Sequence, residues 1–110
     1  MRKSSLDALA RELLKRAACA PHGRSAETVY GGHEHMLRQT VLALTAGSSL
    51  AEHDSPGEAT LFVLRGRIRL HAGDIDWDGL HGDLIAIPPE RHSLDALEDS
   101  VVVLTVVKPR

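Results

Sequence analysis

Closely spaced histidines are the first residues in this chain whose type and spacing could do chemistry. His33 and His35 alternate in the string HEH, directly after two glycines. Side chains two residues apart on a strand face the same way, so such a pair can chelate a metal ion. The preceding glycines, however, are typical of a turn. We therefore expect the pair to lie at a solvated hairpin end, without a ligand role.

Three aspartates alternate with apolar residues in the string GDIDWDG at 73–79. The spacing D-x-D-x-D-G is that of a calcium-binding loop, but the twelfth position holds Ile85 instead of glutamate and no flanking helix is predicted. The same alternation fits a β-hairpin whose Ile75 and Trp77 face inward while the aspartates face water. We predict the hairpin.

The sequence gives little support for a catalytic nucleophile. The single cysteine, Cys19, is expected near the carboxyl end of a helix, where the helix dipole disfavours a thiolate. Ser55 stands close to His53 in sequence, but no nucleophile elbow or third orienting group accompanies the two. No phosphate-binding glycine loop is present either. The sequence therefore does not indicate nucleophilic or nucleotide chemistry.

One helix is predicted at the start of the chain. Ser4 and Ser5 are capping residues, and Pro21 and Gly23 end the run. Between them an apolar stripe recurs every three or four residues. Its members are Leu6, Leu9, Ala10, Leu13, Leu14 and Ala17. We expect this stripe to pack across the end of a sheet or against a partner subunit. Contact with a membrane surface is the less favoured alternative, because bulky aromatic anchors are missing.

The rest of the chain consists of short apolar runs separated by glycine, proline and aspartate. These runs predict strands at 27–30, 36–44, 49–52, 59–64, 67–71, 75–77, 83–87, 93–95 and 100–107. Their spacing indicates an all-β sandwich or barrel. The strand at 101–107 is so apolar that we expect it to be central or at a subunit interface. We predict two regions, a helix with its linker at 1–23 and a β-barrel domain at 24–110.

Composition narrows the function class. The chain has 110 residues, a formal net charge of −2 and only 3% aromatic residues, so neither a basic field nor a stacking platform favours nucleic acid as a partner. No apolar stretch approaches the roughly 20 residues that a membrane span needs. The single cysteine excludes an internal disulfide and fits a reducing compartment, so we expect a cytoplasmic protein without a membrane partner.

Two segments resemble the motifs of the cupin superfamily. In GSSLAEHDSPGEATLFVLRG, Gly47, His53 and Gly66 match the first motif, and in GDLIAIPPERH, Gly82 and His92 match the second, with Pro88 between them. The resemblance implies an all-β, cupin-like jelly-roll (double-stranded β-helix) barrel, here with one N-terminal α-helix. It also implies a homodimer, as is common among small cupins.

The resemblance implies only part of the metal site that many cupins share, which has three histidines and one glutamate. His53 and His92 stand at two of the ligand positions. The other two positions hold Ser55 and Ala59, which are not ligands. Two imidazoles alone are a poor site, since zinc takes about four ligands and facial-triad iron needs a carboxylate. Asp54 or Glu58 would have to turn inward to complete the site.

Three hypotheses for function follow. The first is a protein that binds a small molecule in its barrel without conventional cupin metal catalysis. The second is a metal-dependent enzyme of dioxygenase or isomerase type, in which His53 and His92 hold iron, manganese, nickel or zinc. The third is a non-catalytic protein-interaction module. We favour the first because two ligand positions are lost. The predicted pocket contains His53, Ser55 and His92, with Arg38 or Gln39 as the polar specificity group.

Overall fold

The computed structural model describes residues 1–54 and 57–108. Within them the chain forms one helix and nine strands. The helix α1 covers Leu6–Cys19. The strands are β1 (Arg24–Tyr30), β2 (Leu37–Leu44), β3 (Ser49–His53), β4 (Glu58–Arg65), β5 (Arg67–Ala72), β6 (Ile75–Leu80), β7 (Leu84–Ala86), β8 (His92–Ala96) and β9 (Ser100–Val107). Every predicted strand is present, with ends that differ from the prediction by a few residues.

The strands form two antiparallel sheets that face each other. One sheet has the order β1-β2-β9-β4-β7 and the other the order β3-β8-β5-β6. Alternation decides which side chains lie between the sheets. The buried residues of this inner core come from both sheets: Leu44, Leu61, Val63, Ile68, Leu70, Leu94, Ala96 and Val102. The architecture is the predicted jelly-roll barrel with an N-terminal helix.

The helix α1 packs on the outer face of the five-stranded sheet. The hydroxyl of Ser5 accepts a hydrogen bond from the Ala8 N–H at 3.2 Å and so caps the amino end. Leu13 is fully buried against Val41 and Val101 in a second apolar cluster. Strand β9 is therefore central, with the inner core on one side and the helix on the other. The central position is one of the two predicted for this strand, and the chain itself covers both of its apolar faces.

The β5–β6 hairpin forms as predicted, but two of its side chains are more exposed than expected. Ile75 is 57% and Trp77 is 40% exposed, whereas the sequence predicted that both face inward. Both project to the predicted inner face, opposite buried Ala72 and Leu70, but they remain exposed because β6 is an edge strand. The opposite face of the hairpin carries the charged residues.

Candidate functional site

The two motif histidines lie side by side at one end of the barrel. His53 ends β3, His92 begins β8, and the two residues are partners in the register of these antiparallel strands. Their ring centroids are 4.4 Å apart, with an interplanar angle of 65°. The gap between Pro88 and His92, one residue shorter than in the motif, therefore does not separate the two imidazoles.

Backbone carbonyls orient both rings in the same way. The Nδ1 atom of His53 lies 2.9 Å from the carbonyl oxygen of Ala51, and the Nδ1 atom of His92 lies 2.9 Å from that of Glu90. A carbonyl oxygen can only accept a hydrogen bond, so Nδ1 carries the proton and donates in each ring. In the neutral imidazoles both Nε2 atoms then keep a lone pair, and each can accept a hydrogen bond or bind a metal ion.

The space beside the histidines within the barrel is small and apolar. It measures about 30 Å³, which is room for one or two water molecules. Apart from the two histidines its lining is aliphatic: Leu42, Leu50, Leu61, Leu70, Ile87, Leu94 and Leu104. His92 is 4% exposed and forms the inner wall, whereas His53 reaches the surface. The barrel interior itself is therefore nearly filled by side chains.

A wider groove continues outward from this cavity. It measures about 500 Å³ and lies between β2, β9 and β3. Four of its lining residues also line the cavity: Leu42, Leu50, His53 and Leu104. Three cationic residues stand in the same lining: Arg24, Arg38 and Lys108. The two spaces together form one pocket with an apolar wall, a histidine pair at its inner end and basic groups toward solvent.

Strand β2 separates the two polar residues predicted to line the pocket. Arg38 shares the groove side of β2 with Thr40 and Leu42. Gln39 points to the opposite side, where its amide donates to the hydroxyl of Thr105 at 3.3 Å. The expectation that Gln39 lines the pocket is corrected by this alternation. Ser55, the remaining predicted pocket residue, lies outside the described residues.

The donor set near the histidines does not fit the metal site that the cupin motifs imply. Arg91 donates to Glu52 at 2.9 Å and to Asp54 at 3.1 Å, which holds both carboxylates at the exposed surface. Glu58 is exposed at the start of β4, and Ala59 has no donor atom in its side chain. Residues 1–54 and 57–108 contain no cluster of three or more histidine, cysteine, aspartate or glutamate side chains that could hold a metal ion. Two imidazoles fall short of the three protein ligands typical of catalytic zinc.

The other sequence candidates are involved in local contacts. The Nδ1 atom of His35 accepts a hydrogen bond from the Gly32 N–H at 3.1 Å, and its ring lies 5.1 Å from that of Tyr30. Cys19 is exposed at the end of α1. Neither His35 nor Cys19 lines the pocket.

A charged network covers the outer face of the four-stranded sheet, and sequence reasoning did not identify it. Arg69 donates to Asp78 at 2.6 Å, and the two nitrogen atoms of His71 lie 2.6 Å and 2.7 Å from Asp76 and Asp95. The pKa of His71 is raised, chiefly by its hydrogen bond to Asp95 and then by that to Asp76. The pKa of Asp78 falls to about 2, chiefly because of its hydrogen bond with Arg69. The sequence contained a signal for this network. Basic residues alternate with apolar ones in RIRLH at 67–71, and acidic residues do the same in DIDWD at 74–78, on the two strands of one predicted hairpin.

Comparison with known proteins identifies the fold. No protein-family model and no curated protein matches the chain. Among solved structures, a conserved protein of unknown function from Streptococcus pyogenes superposes with a TM-score of 0.73 at 27% identity, covering 83% of this chain and 79% of that one. A cupin superfamily protein from Desulfitobacterium hafniense has a TM-score of 0.72 at 13% identity, with 78% of each chain covered.

A larger enzyme contains the same fold. The salicylate 1,2-dioxygenase of Pseudoaminobacter salicylatoxidans, solved with gentisate, superposes with a TM-score of 0.77 at 17% identity. The match covers 91% of this chain and 31% of the enzyme. At this identity the similarity concerns the fold alone.

In the described residues no helix has the length and apolarity to cross a membrane. The two sheets, their strand order and these structural neighbours together show that the chain is a small cupin-fold protein.

Proposed function

We propose that this protein binds a small molecule with an apolar body in the groove between β2, β3 and β9. The observation that carries the proposal is the continuity of the groove with the histidine-lined cavity. A volume of about 500 Å³ lies within the range of about 300–1,000 Å³ that is usual for small-molecule sites. The ligand body packs against Leu42, Leu50 and Leu104, and one end reaches His53.

The histidine pair is proposed as the polar inner end of this site. His53 and His92 present acceptor nitrogens in the neutral state, because their Nδ1 protons are used by backbone carbonyls. A ligand hydroxyl or amide N–H that reaches this end can donate to them. Ser55 remains a predicted pocket residue, and Arg38, one of the two predicted alternatives, is the proposed specificity group at the outer end.

We do not extend the proposal to a metal-dependent reaction. The dioxygenase with the same fold favours that alternative by analogy, but fold alone does not determine function. Here the carboxylates closest in sequence, Glu52 and Asp54, are paired with Arg91 on the surface. A divalent iron, manganese, nickel or zinc ion at His53 and His92 would lack a third protein ligand from the described residues.

The proposal is tested by titrating ¹⁵N-labelled protein with hexan-1-ol, a neutral probe with an aliphatic body. We expect saturable amide shifts along β2, β3 and β9. Ala51, an exposed residue on edge strand β3, lines the groove, so Ala51→Trp should fill it and abolish binding. Ala86→Trp is the matched control, because Ala86 is also exposed but lies on edge strand β7.

Two results would overturn the proposal. One is the absence of any saturable shift in the wild-type protein. The other is a wild-type affinity that Ala51→Trp leaves unchanged, since the probe would then bind elsewhere. Binding that is lost in Ala51→Trp and retained in Ala86→Trp supports the groove as the site.

The homodimer and the cytoplasmic location also remain proposals. The dimer rests on the resemblance to small cupins, and the location rests on the single cysteine. Sedimentation equilibrium measures the first directly. A mass twice that of the chain supports the dimer, and a mass equal to that of one chain at all concentrations contradicts it.

A further inference from the structure

The mouth of the groove has a charge opposite to that of the whole chain. Arg38 and Lys108 line it near the start of β2, Arg24 lines the groove at the other end of β2 opposite Leu44, and the described residues contribute no aspartate or glutamate to the lining. The chain as a whole has a formal net charge of −2. Basic side chains beside a low-dielectric apolar wall create a local positive potential that attracts anions.

Arg38 is the cation best placed to bind a ligand. Its guanidinium is exposed and makes no hydrogen bond or ion pair with the residues the structure describes. Arg24 donates to the carbonyl oxygen of Ser49 at 2.8 Å. The Nζ atom of Lys108 lies 3.5 Å from the carbonyl oxygen of Gly32. An arginine without a carboxylate partner keeps its planar set of donors available for an acid group.

The apolar wall fixes the direction in which an anion would lie. Leu42 and Leu104 line both the inner cavity and the groove, so the apolar surface runs from the histidines toward the mouth. A charged group buried there without a partner would lose its favourable hydration. The charged end of a ligand therefore belongs at the mouth, beside Arg38, and its apolar body belongs inside.

From these observations we infer that the ligand is a small organic anion. Its acid group, a carboxylate or a phosphate monoester, binds Arg38, with Lys108 adding positive charge at the same end of the groove. Its aliphatic or aromatic body packs against Leu42 and Leu50. This inference rests on the proposed small-molecule site and specifies the chemical class of its ligand.

The test compares three probes with one six-carbon body: hexan-1-ol, hexanoate and hexyl phosphate. We expect at least one of the two acids to bind the wild-type protein about tenfold or more tightly than the alcohol, since hydrogen bonds to charged groups contribute about 1.5–3 kcal/mol. Arg38→Gln should remove this preference, so that neither acid binds the variant more tightly than hexan-1-ol does. Whichever acid binds more tightly identifies the acid group.

A matched control separates a local effect from a change in net charge. Arg11→Gln makes the same substitution at an exposed position of α1, outside the groove, and should leave all three affinities unchanged. Equal affinities for the alcohol and both acids would overturn the inference and leave the proposed function intact. Failure of hexan-1-ol to bind would overturn the proposed function itself. A preference for acids that survives Arg38→Gln would also contradict the inference.

Discussion

At the scale of single residues, the two motif histidines were predictable and their chemical state was not. The spacing of the motifs identifies His53 and His92. It cannot reveal that both Nδ1 atoms face backbone carbonyls, because that depends on the local path of β3 and of the chain before β8. The sequence also left Arg38 and Gln39 as equal candidates for the polar specificity group. The register of β2 with its neighbours decides between them, since side chains alternate between the two faces of a strand.

His71 gives the outer charged network a pH dependence. Because the folded-state pKa of His71 lies above its ordinary value of 6.5, the proton that His71 carries stabilises the folded state. This contribution is fully present below pH 6.5 and is lost as the pH rises through the folded-state pKa. We expect the wild-type protein to lose part of its stability advantage over His71→Asn between pH 5.5 and pH 9. The loss should be under about 1 kcal/mol, since the ion pairs are partly exposed.

Urea unfolding of both proteins across this range measures the difference in the free energy of unfolding. The pKa of Asp95 is lowered, so its contribution to the free energy of unfolding changes with pH only near or below its ordinary pKa of 3.8. It is therefore constant between pH 5.5 and pH 9. His22→Asn, at an exposed position after α1, is the control and should follow the wild type. A wild-type advantage over His71→Asn that grows with pH would show the sign to be wrong.

At the scale of elements, turn residues and alternation were sufficient to locate all nine strands. Strand ends were less well predicted because hydrogen-bonded neighbours extend a strand beyond its apolar run, as at β1 and β6. The packing partner of α1 was not predictable either. Its apolar stripe required a surface to cover, but the sequence could not show that Val41 and Val101 of the five-stranded sheet supply it.

Two motif glycines allow a test of what the tight turns require. Gly66 and Gly82 have positive φ angles of 83° and 92°. A Cβ atom at Gly66 would collide with the backbone carbonyl of Asp99 and with Ser100, whereas one at Gly82 would meet nothing within 4 Å. We expect Gly82→Ala to cost about 1 kcal/mol from backbone strain alone. Gly66→Ala should cost a further 1–3 kcal/mol or so, because packed atoms must move.

Thermal and urea unfolding of the two variants measure this difference directly. Each variant serves as the control for the other, since both place a methyl group at a positive φ angle. Equal destabilisation by the two substitutions would contradict a role for close packing between the β4–β5 turn and β9.

At the scale of the whole molecule, the fold was predictable from two short motifs and the strand pattern, but the shape of the pocket was not. The volume of the cavity inside the barrel depends on how Leu61, Leu70 and Leu94 pack across it. The spacing of residues in the sequence does not predict this packing. The groove between β3 and β2 arises from the approach of the two sheets, which brings residues distant in sequence together. The positive charge of the groove lining has the same origin, since Arg24, Arg38 and Lys108 lie on three different parts of the chain.

The central claim is that this cupin-fold protein binds a small apolar-bodied molecule without a metal ion. The most direct measurement is the affinity for hexan-1-ol before and after dialysis against EDTA, followed through the amide signals of Leu42, Leu50 and Leu104. We predict saturable shifts at these residues and an unchanged Kd after dialysis. Binding that disappears with EDTA and returns on addition of iron or zinc would contradict the claim.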